Sequence, residues 1–212
     1  MYINHAERTI ILKICVYGPA LSGKMALLKA MYHHFAATDG EGAKYDVFAF
    51  GPRSGESAEF IANAERSFGA PYDELADGGT VIWMRARHER RTGESDFDLV
   101  TDALTVSGNA SGSALRKFTL QNADAVLFVA DPRPERYDAT LEACENLAES
   151  EWAGPVVLYA EGDAGPRMAK LLGHDGAVAE EGEGLDAMLA AFRAAMKAGL
   201  DASRAAAAGR PS

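Results

Sequence analysis

Two cysteines in 212 residues are too few for a disulfide framework. Cys15 and Cys144 sit far apart in apolar periodic segments, so we read them as buried free thiols in a reducing compartment. Long hydrophobic runs are missing too. No apolar stretch approaches the ~20 residues that a membrane span needs, and residues 1–8 hold no apolar signal-peptide core. Positive charge is scarce, with 21 Lys and Arg against 31 Asp and Glu and a net charge of −10, and no long basic run occurs. That excludes binding of nucleic acid or anionic membranes through bulk positive charge, but not one local phosphate site. With 48% hydrophobic and 25% charged residues, disorder throughout is excluded as well. The expectation is a cytoplasmic, soluble chain with a real core.

Four compact apolar runs are present: Ile10–Tyr17, Ala123–Ala130, Pro155–Ala160 and the short Gly176–Ala179. Near-continuous apolar strands mark a parallel sheet covered on both faces. Helical patterns lie between them over Lys24–Phe35, Glu135–Ser150 and Leu185–Leu200, with Leu141, Cys144 and Leu147 as the apolar stripe of the second. This alternation predicts an α/β doubly wound sheet. Val81–Arg87 and Phe97–Val106 flank a charged, Gly93-containing stretch, which is hairpin grammar and adds one antiparallel edge. Residues 40–80 read as a glycine-rich insert, with a short strand at Lys44–Phe50 and a helix around Ser57–Ser67. We expect one domain over residues 1–201 and a flexible tail over 202–212.

Chemistry concentrates directly after the first run, at Gly18-Pro-Ala-Leu-Ser-Gly23-Lys24-Met25. It meets the phosphate-loop pattern G-x-x-x-x-G-K-[ST] at every position but the last, between a strand and a helix. Glycines let the backbone curl so that successive N–H groups converge on a phosphate at the positive end of a helix. Gly18, Leu21, Ser22, Gly23, Lys24, Met25 and Ala26 are the expected contacts, with Lys24 bridging two phosphate groups. Met25 replaces the hydroxyl that would ligate Mg²⁺. A soft thioether is a poor substitute for a hard oxygen, so metal binding is expected to be possible but weakened. Elsewhere the residues are bland: His33 and His34 point about 100° apart on a helix and make no metal site.

Beyond that loop, Tyr17–Lys24, Leu115-Arg-Lys-Phe118, Ala123–Asp131, Glu135-Arg136 and Leu141–Leu147 together resemble the MglA family of Ras-like bacterial small GTPases of gliding motility and cell polarity. The resemblance covers roughly residues 10–50 and 97–198. It implies a Ras-like P-loop fold with a mostly parallel sheet of about six strands, one antiparallel edge and helices on both faces. It also implies GTP or GDP as ligand and a roadblock-type regulator as partner. Position by position, Gly108 falls at the γ-phosphate contact, and Asn109 falls where a glutamine orients the attacking water. Arg53-Ser54 fall on an Arg-Thr pair of the first switch, with Arg53 catalytic and Ser54 a metal ligand. Ala160-Glu161-Gly162-Asp163 fall on the guanine signature Asn-Lys-x-Asp and keep only the carboxylate of Asp163. Ala179 falls in the segment that backs the base.

Two function classes follow from this. One is a guanine-nucleotide switch with degraded metal, hydrolysis and base-recognition positions, at most a weak GTPase. The other is a pseudo-GTPase scaffold, favoured by Met25, Ala160 and Glu161 together. A small-metabolite P-loop kinase would need an arginine lid, for which only Arg85, Arg87, Arg90 and Arg91 are on offer.

Overall fold

The computed structural model describes residues 1–39, 42–49, 61–62, 65, 80–88, 97–107, 114–150, 152–162, 164–179 and 184–209. In chain order these form β1 (Tyr2–Asn4), β2 (Thr9–Tyr17), α1 (Lys24–Asp39), β3 (Lys44–Ala49), β4 (Thr80–His88) and β5 (Asp98–Ser107). They continue with α2 (Ala114–Gln121), β6 (Ala125–Ala130), α3 (Tyr137–Glu149), β7 (Val156–Ala160), α4 (Gly165–Leu172), β8 (Ala177–Val178) and α5 (Gly184–Ala208).

One sheet runs β3-β4-β5-β2-β6-β7-β8. From β5 to β8 every pairing along it is parallel. Antiparallel pairing sits where the hairpin pattern put it, between β4 and β5 with Trp83 opposite Leu104, and β3 joins outside β4 with Asp46 opposite Trp83. The protein is thus a mixed α/β fold with a mostly parallel centre, an antiparallel edge and helices on both faces, as a Ras-like P-loop fold requires. The strand β1 was not legible in sequence. It pairs antiparallel with the first half of β2, and the terminal ammonium bonds Asp124, whose other oxygen accepts from the Lys13 N–H at 2.8 Å.

Burial explains the layering. All six residues of β6 are buried, so this strand must be covered on both sides. One core joins Leu27, Leu28, Met31 and Phe35 of α1 to Leu189, Phe192 and Met196 of α5 across Ile14, Leu127 and Val157. The opposite core joins Leu120 of α2, Leu147 of α3 and Met168 of α4 to Cys15, Phe128 and Leu158. Neither cysteine forms a disulfide, as read from sequence, but only Cys15 is buried and Cys144 is half-buried.

Some expectations shift in detail. The buried stripe of α3 is Thr140, Ala143 and Leu147, not Leu141, Cys144 and Leu147. The helix α1 runs on to Asp39, and α5 continues through Ala208, which makes 202–208 of the expected tail helical. The helix α2 was not foreseen. Of the helix around Ser57–Ser67 only residues 61, 62 and 65 are described, and they are helical.

Arg85 and Arg87, suggested for a kinase lid, lie in β4 instead. Arg85 makes a two-pronged bond to Asp102 at 2.7 Å on both contacts, and Arg87 pairs with Asp98. Arg90 and Arg91 fall outside the described residues.

Candidate functional site at the phosphate loop

The loop begins where β2 stops. Gly18 holds φ at +142°, and a Cβ there would sit 2.2 Å from the Val129 carbonyl oxygen of β6, so the strand's backbone passes directly behind the loop. Only glycine fits. Gly23, the last loop residue, has φ at +89°, and its carbonyl accepts the Leu27 N–H at 2.9 Å, which starts α1. Between them Leu21 takes a left-handed φ of +63° although it carries a branched side chain, which is 82% exposed. Left-handed residues beside right-handed ones make the concave row of N–H groups that binds anions.

Lys24 opens α1 and is buried. Its Nζ turns back over the loop and donates to the Gly18 carbonyl at 2.9 Å and the Pro19 carbonyl at 2.5 Å. The first turn of α1 contains no acidic side chain. The N-terminus of α1, with the positive end of the helix dipole, and the buried Lys24 ammonium thus lie at the same loop, with no carboxylate in that turn.

A cleft of about 380 Å³ opens beside the loop. Leu21, Ser22, Gly23 and Ala26 line it from the loop and α1, while Asp131, Arg133, Tyr159 and Glu161 arrive from the ends of β6 and β7. That is the carboxyl end of a parallel sheet, where open α/β folds place their ligands. Tyr159 is 4% exposed, and its hydroxyl has no hydrogen-bond partner among the described residues. Burial first, then the neighbouring Glu161 carboxylate, raises its pKa above the usual phenol value. A buried hydroxyl without a partner costs roughly 1–3 kcal/mol, so a cleft ligand or water would relieve it.

Of the residues expected at the phosphates, Leu21, Ser22, Gly23 and Ala26 line this cleft, Gly18 shapes the loop from below and Lys24 crowns it. Met25 is 55% exposed and brings a thioether where the pattern has a hydroxyl. Ala179 is buried at the end of β8, where its N–H donates to the Leu158 carbonyl at 2.8 Å. It packs with the sheet and is not among the cleft-lining residues. Thr105, heading the Thr105–Asn109 segment, is 1% exposed, and its hydroxyl likewise has no hydrogen-bond partner among the described residues. Arg53, Ser54, Gly108, Asn109 and Asp163 lie outside the described residues.

Sequence reasoning missed the charged turn after β6. Asp131 and Arg136 entered only as points of resemblance, and Arg133 not at all. Asp131 is 2% exposed, and the Arg133 guanidinium bonded to it holds its carboxyl below the usual carboxylate range. Arg136 Nη2 donates to the Ala20 carbonyl of the loop at 2.7 Å. The available signal was a buried-strand end followed at once by Asp-Pro-Arg-Pro-Glu-Arg, too much charge for an ordinary turn.

The Gly18 cradle and the Lys24 ammonium fit the phosphates of a nucleotide. The site does not fit a Mg²⁺ ion at the residue after Lys24, because Met25 offers sulfur where that ion takes oxygen. No protein-family model matches the chain. The chain is similar to the mutual gliding-motility protein MglA of Myxococcus xanthus (strain DK1622), with 30% identity over 146 residues, which is 69% of this chain and 60% of that protein. The chain thus spans less than two thirds of the relative's length, and the likeness is that of a distant MglA-like relationship.

Proposed function

We propose that the protein is a guanine-nucleotide-binding switch of the small-GTPase type. The observation that carries this is the buried Lys24 ammonium folded over a loop whose Gly18 and Gly23 have positive φ, at the N-terminus of α1. In this reading the N–H groups of residues 21–26 and Lys24 take the phosphates, and the nucleoside enters the cleft between Ala26 and the β7 end. Asp163 accepts the guanine N1–H and exocyclic N–H₂. Gly108 meets the γ-phosphate, and Asn109, with Arg53, places water poorly, so hydrolysis is slow. Ser54 would be the remaining hydroxyl for Mg²⁺, which binds weakly because Met25 cannot hold it.

Residues 1–201 act as one domain whose segments around residues 53–54 and after β5 (108–113) respond to nucleotide state, and with them the affinity for a partner. The distant likeness to a gliding-motility protein supports a role in motility or polarity in the cytoplasm, with a roadblock-type regulator as the partner class. The test is direct: the purified protein is heat-denatured, released nucleotide is identified, and reloading is measured with GDP and ADP. Released or rebound guanine nucleotide supports the reading, with a tenfold to hundredfold preference over adenine, by analogy with one two-pronged base contact of about 1–3 kcal/mol. Equal affinity for GDP and ADP removes Asp163 from the site.

A second reading is a pseudo-GTPase scaffold that keeps the fold and binds partners without nucleotide. Glu161 favours it, being an exposed carboxylate at the cleft where the signature has lysine. Absence of any nucleotide affinity, together with a partner retained by Lys24→Ala protein, would select it.

A further inference from the structure

The turn after β6 runs Asp131-Pro132-Arg133-Pro134-Glu135-Arg136, and one buried carboxylate in it organises two arginines. Arg133 grips Asp131 with a fork: Nε donates to Oδ1 at 2.8 Å and Nη2 to Oδ2 at 2.5 Å. The backbone N–H of Arg133 adds a third bond to Oδ1 at 3.2 Å. Arg136 Nε stands 3.6 Å from Oδ2. Thr140 of α3 fixes the backbone around the pair, its hydroxyl reaching the Arg136 carbonyl at 3.1 Å and the Asp131 carbonyl at 3.4 Å.

Held in this way, the two guanidinium groups face the phosphate loop. Arg136 Nη2 donates to the Ala20 carbonyl at 2.7 Å, and Arg133 Nη2 reaches the Leu21 carbonyl at 3.5 Å. These carbonyls flank Leu21, the left-handed non-glycine residue of the loop. In a trans peptide, as this one is, the N–H points opposite to the carbonyl. Pulling the Ala20 carbonyl outward therefore turns the Leu21 N–H the other way. Strain in a left-handed leucine persists only where its surroundings impose it, and the arginine pair is such a surrounding.

Arg133 also lines the cleft, as does Glu161 after the end of β7. We propose that Arg133 and Arg136 are positioning residues for nucleotide binding. They fix the loop carbonyls outward, and Arg133 supplies on the nucleoside side the cation that Glu161 does not. The proposal rests on the nucleotide-switch reading for its ligand, but its claim about the loop does not.

The experiment compares full-length wild type with Arg133→Met, Arg136→Met and the double variant Arg133→Met/Glu161→Lys. Affinity and release rate are measured with fluorescent GDP, loop amide exchange over residues 20–23 in nucleotide-free protein, and melting temperature alongside. Each single variant is expected to weaken GDP binding by about tenfold, the worth of one charge-assisted hydrogen bond. It should also quicken exchange at the loop while α1 and β6 stay protected. Glu161→Lys should recover most of the loss in Arg133→Met protein, a rescue that a merely structural arginine would not show.

Unchanged affinity with unchanged loop exchange overturns the proposal, and so does a uniform loss of protection with a collapsed melting temperature. If wild type binds no GDP at all, the switch reading fails. Loop exchange then decides alone, with faster exchange supporting the positioning role and unchanged exchange sinking it.

Discussion

At the scale of single residues, Lys24, Gly18 and Met25 have separable tasks. The Lys24 ammonium donates to two carbonyls of the loop itself, those of Gly18 and Pro19, so its removal should cost the ligand and some stability. Lys24→Ala is expected to lower GDP affinity at least about a hundredfold while costing about 1–3 kcal/mol of unfolding free energy, because two loop carbonyls lose a buried charged donor, as calorimetry and urea titration would read. Gly18→Ala should cost the fold as well as the ligand, because its new Cβ would lie 2.2 Å from the Val129 carbonyl oxygen. A backbone clash of that size should destabilise by about 3 kcal/mol or more, visible as a lowered urea midpoint with unchanged slope. Met25 is exposed and packs little, so Met25→Thr is nearly neutral for stability. It should raise the magnesium dependence of GDP affinity above the less than about tenfold expected of the wild type, and single-turnover assays should show faster hydrolysis.

At the scale of elements, α1 is tied to the antiparallel edge through His88. This histidine ends β4, meets the Phe35 ring of α1 edge-on at 5.3 Å, and bonds the Thr101 hydroxyl of β5 at 2.8 Å. Burial first, and then the Arg193 charge of α5, lowers its pKa to about 4 from an ordinary 6.5. The sign follows from the folded value lying below the unfolded one. Between pH 6.5 and 4 the unfolded chain holds the proton that the folded chain refuses, so stability falls as pH falls through that window. Above it the term is constant. At 1.36 kcal/mol per pK unit the loss is at most about 3 kcal/mol. Urea unfolding at about pH 7.5 and about pH 4.5 should show this slope, and His88→Leu should flatten it whatever its absolute stability. A variant with the wild-type slope would assign the pH dependence to carboxylates instead.

At the scale of the whole molecule, the two cores meet at the central strands, and the cleft lies at the carboxyl ends of β6 and β7 beside α1. A ligand bound there touches elements from both halves of the chain and should stabilise them together. Saturation at a hundred times the dissociation constant contributes about 2.7 kcal/mol, or roughly 5–10 °C in melting temperature for a chain of this size. Thermal scans with GDP should show that shift, ADP should show less, and Lys24→Ala protein should show neither. An equal shift with both nucleotides would deny the cleft its guanine preference.

The amino-acid sequence by itself determined what depends on near neighbours. The strand Ile10–Tyr17, the glycines at 18 and 23 and the helix from Lys24 are contiguous, so composition and spacing suffice to specify a strand, a tight glycine loop and a helix in that order. The buried runs at Ala125–Ala130 and Val156–Ala160 and the antiparallel pairing of β4 with β5 were legible for the same reason. Tertiary structure decided everything that needs distant segments side by side. Arg136 reaches Ala20 across 116 positions, and Tyr159 and Arg133 share a cleft with Leu21 because β6 and β7 pair in parallel beyond β2. Nothing in the residue types near position 20 announces those partners. Strand order sets them, and strand order follows from which buried faces the helices can cover together, a property of the whole sheet.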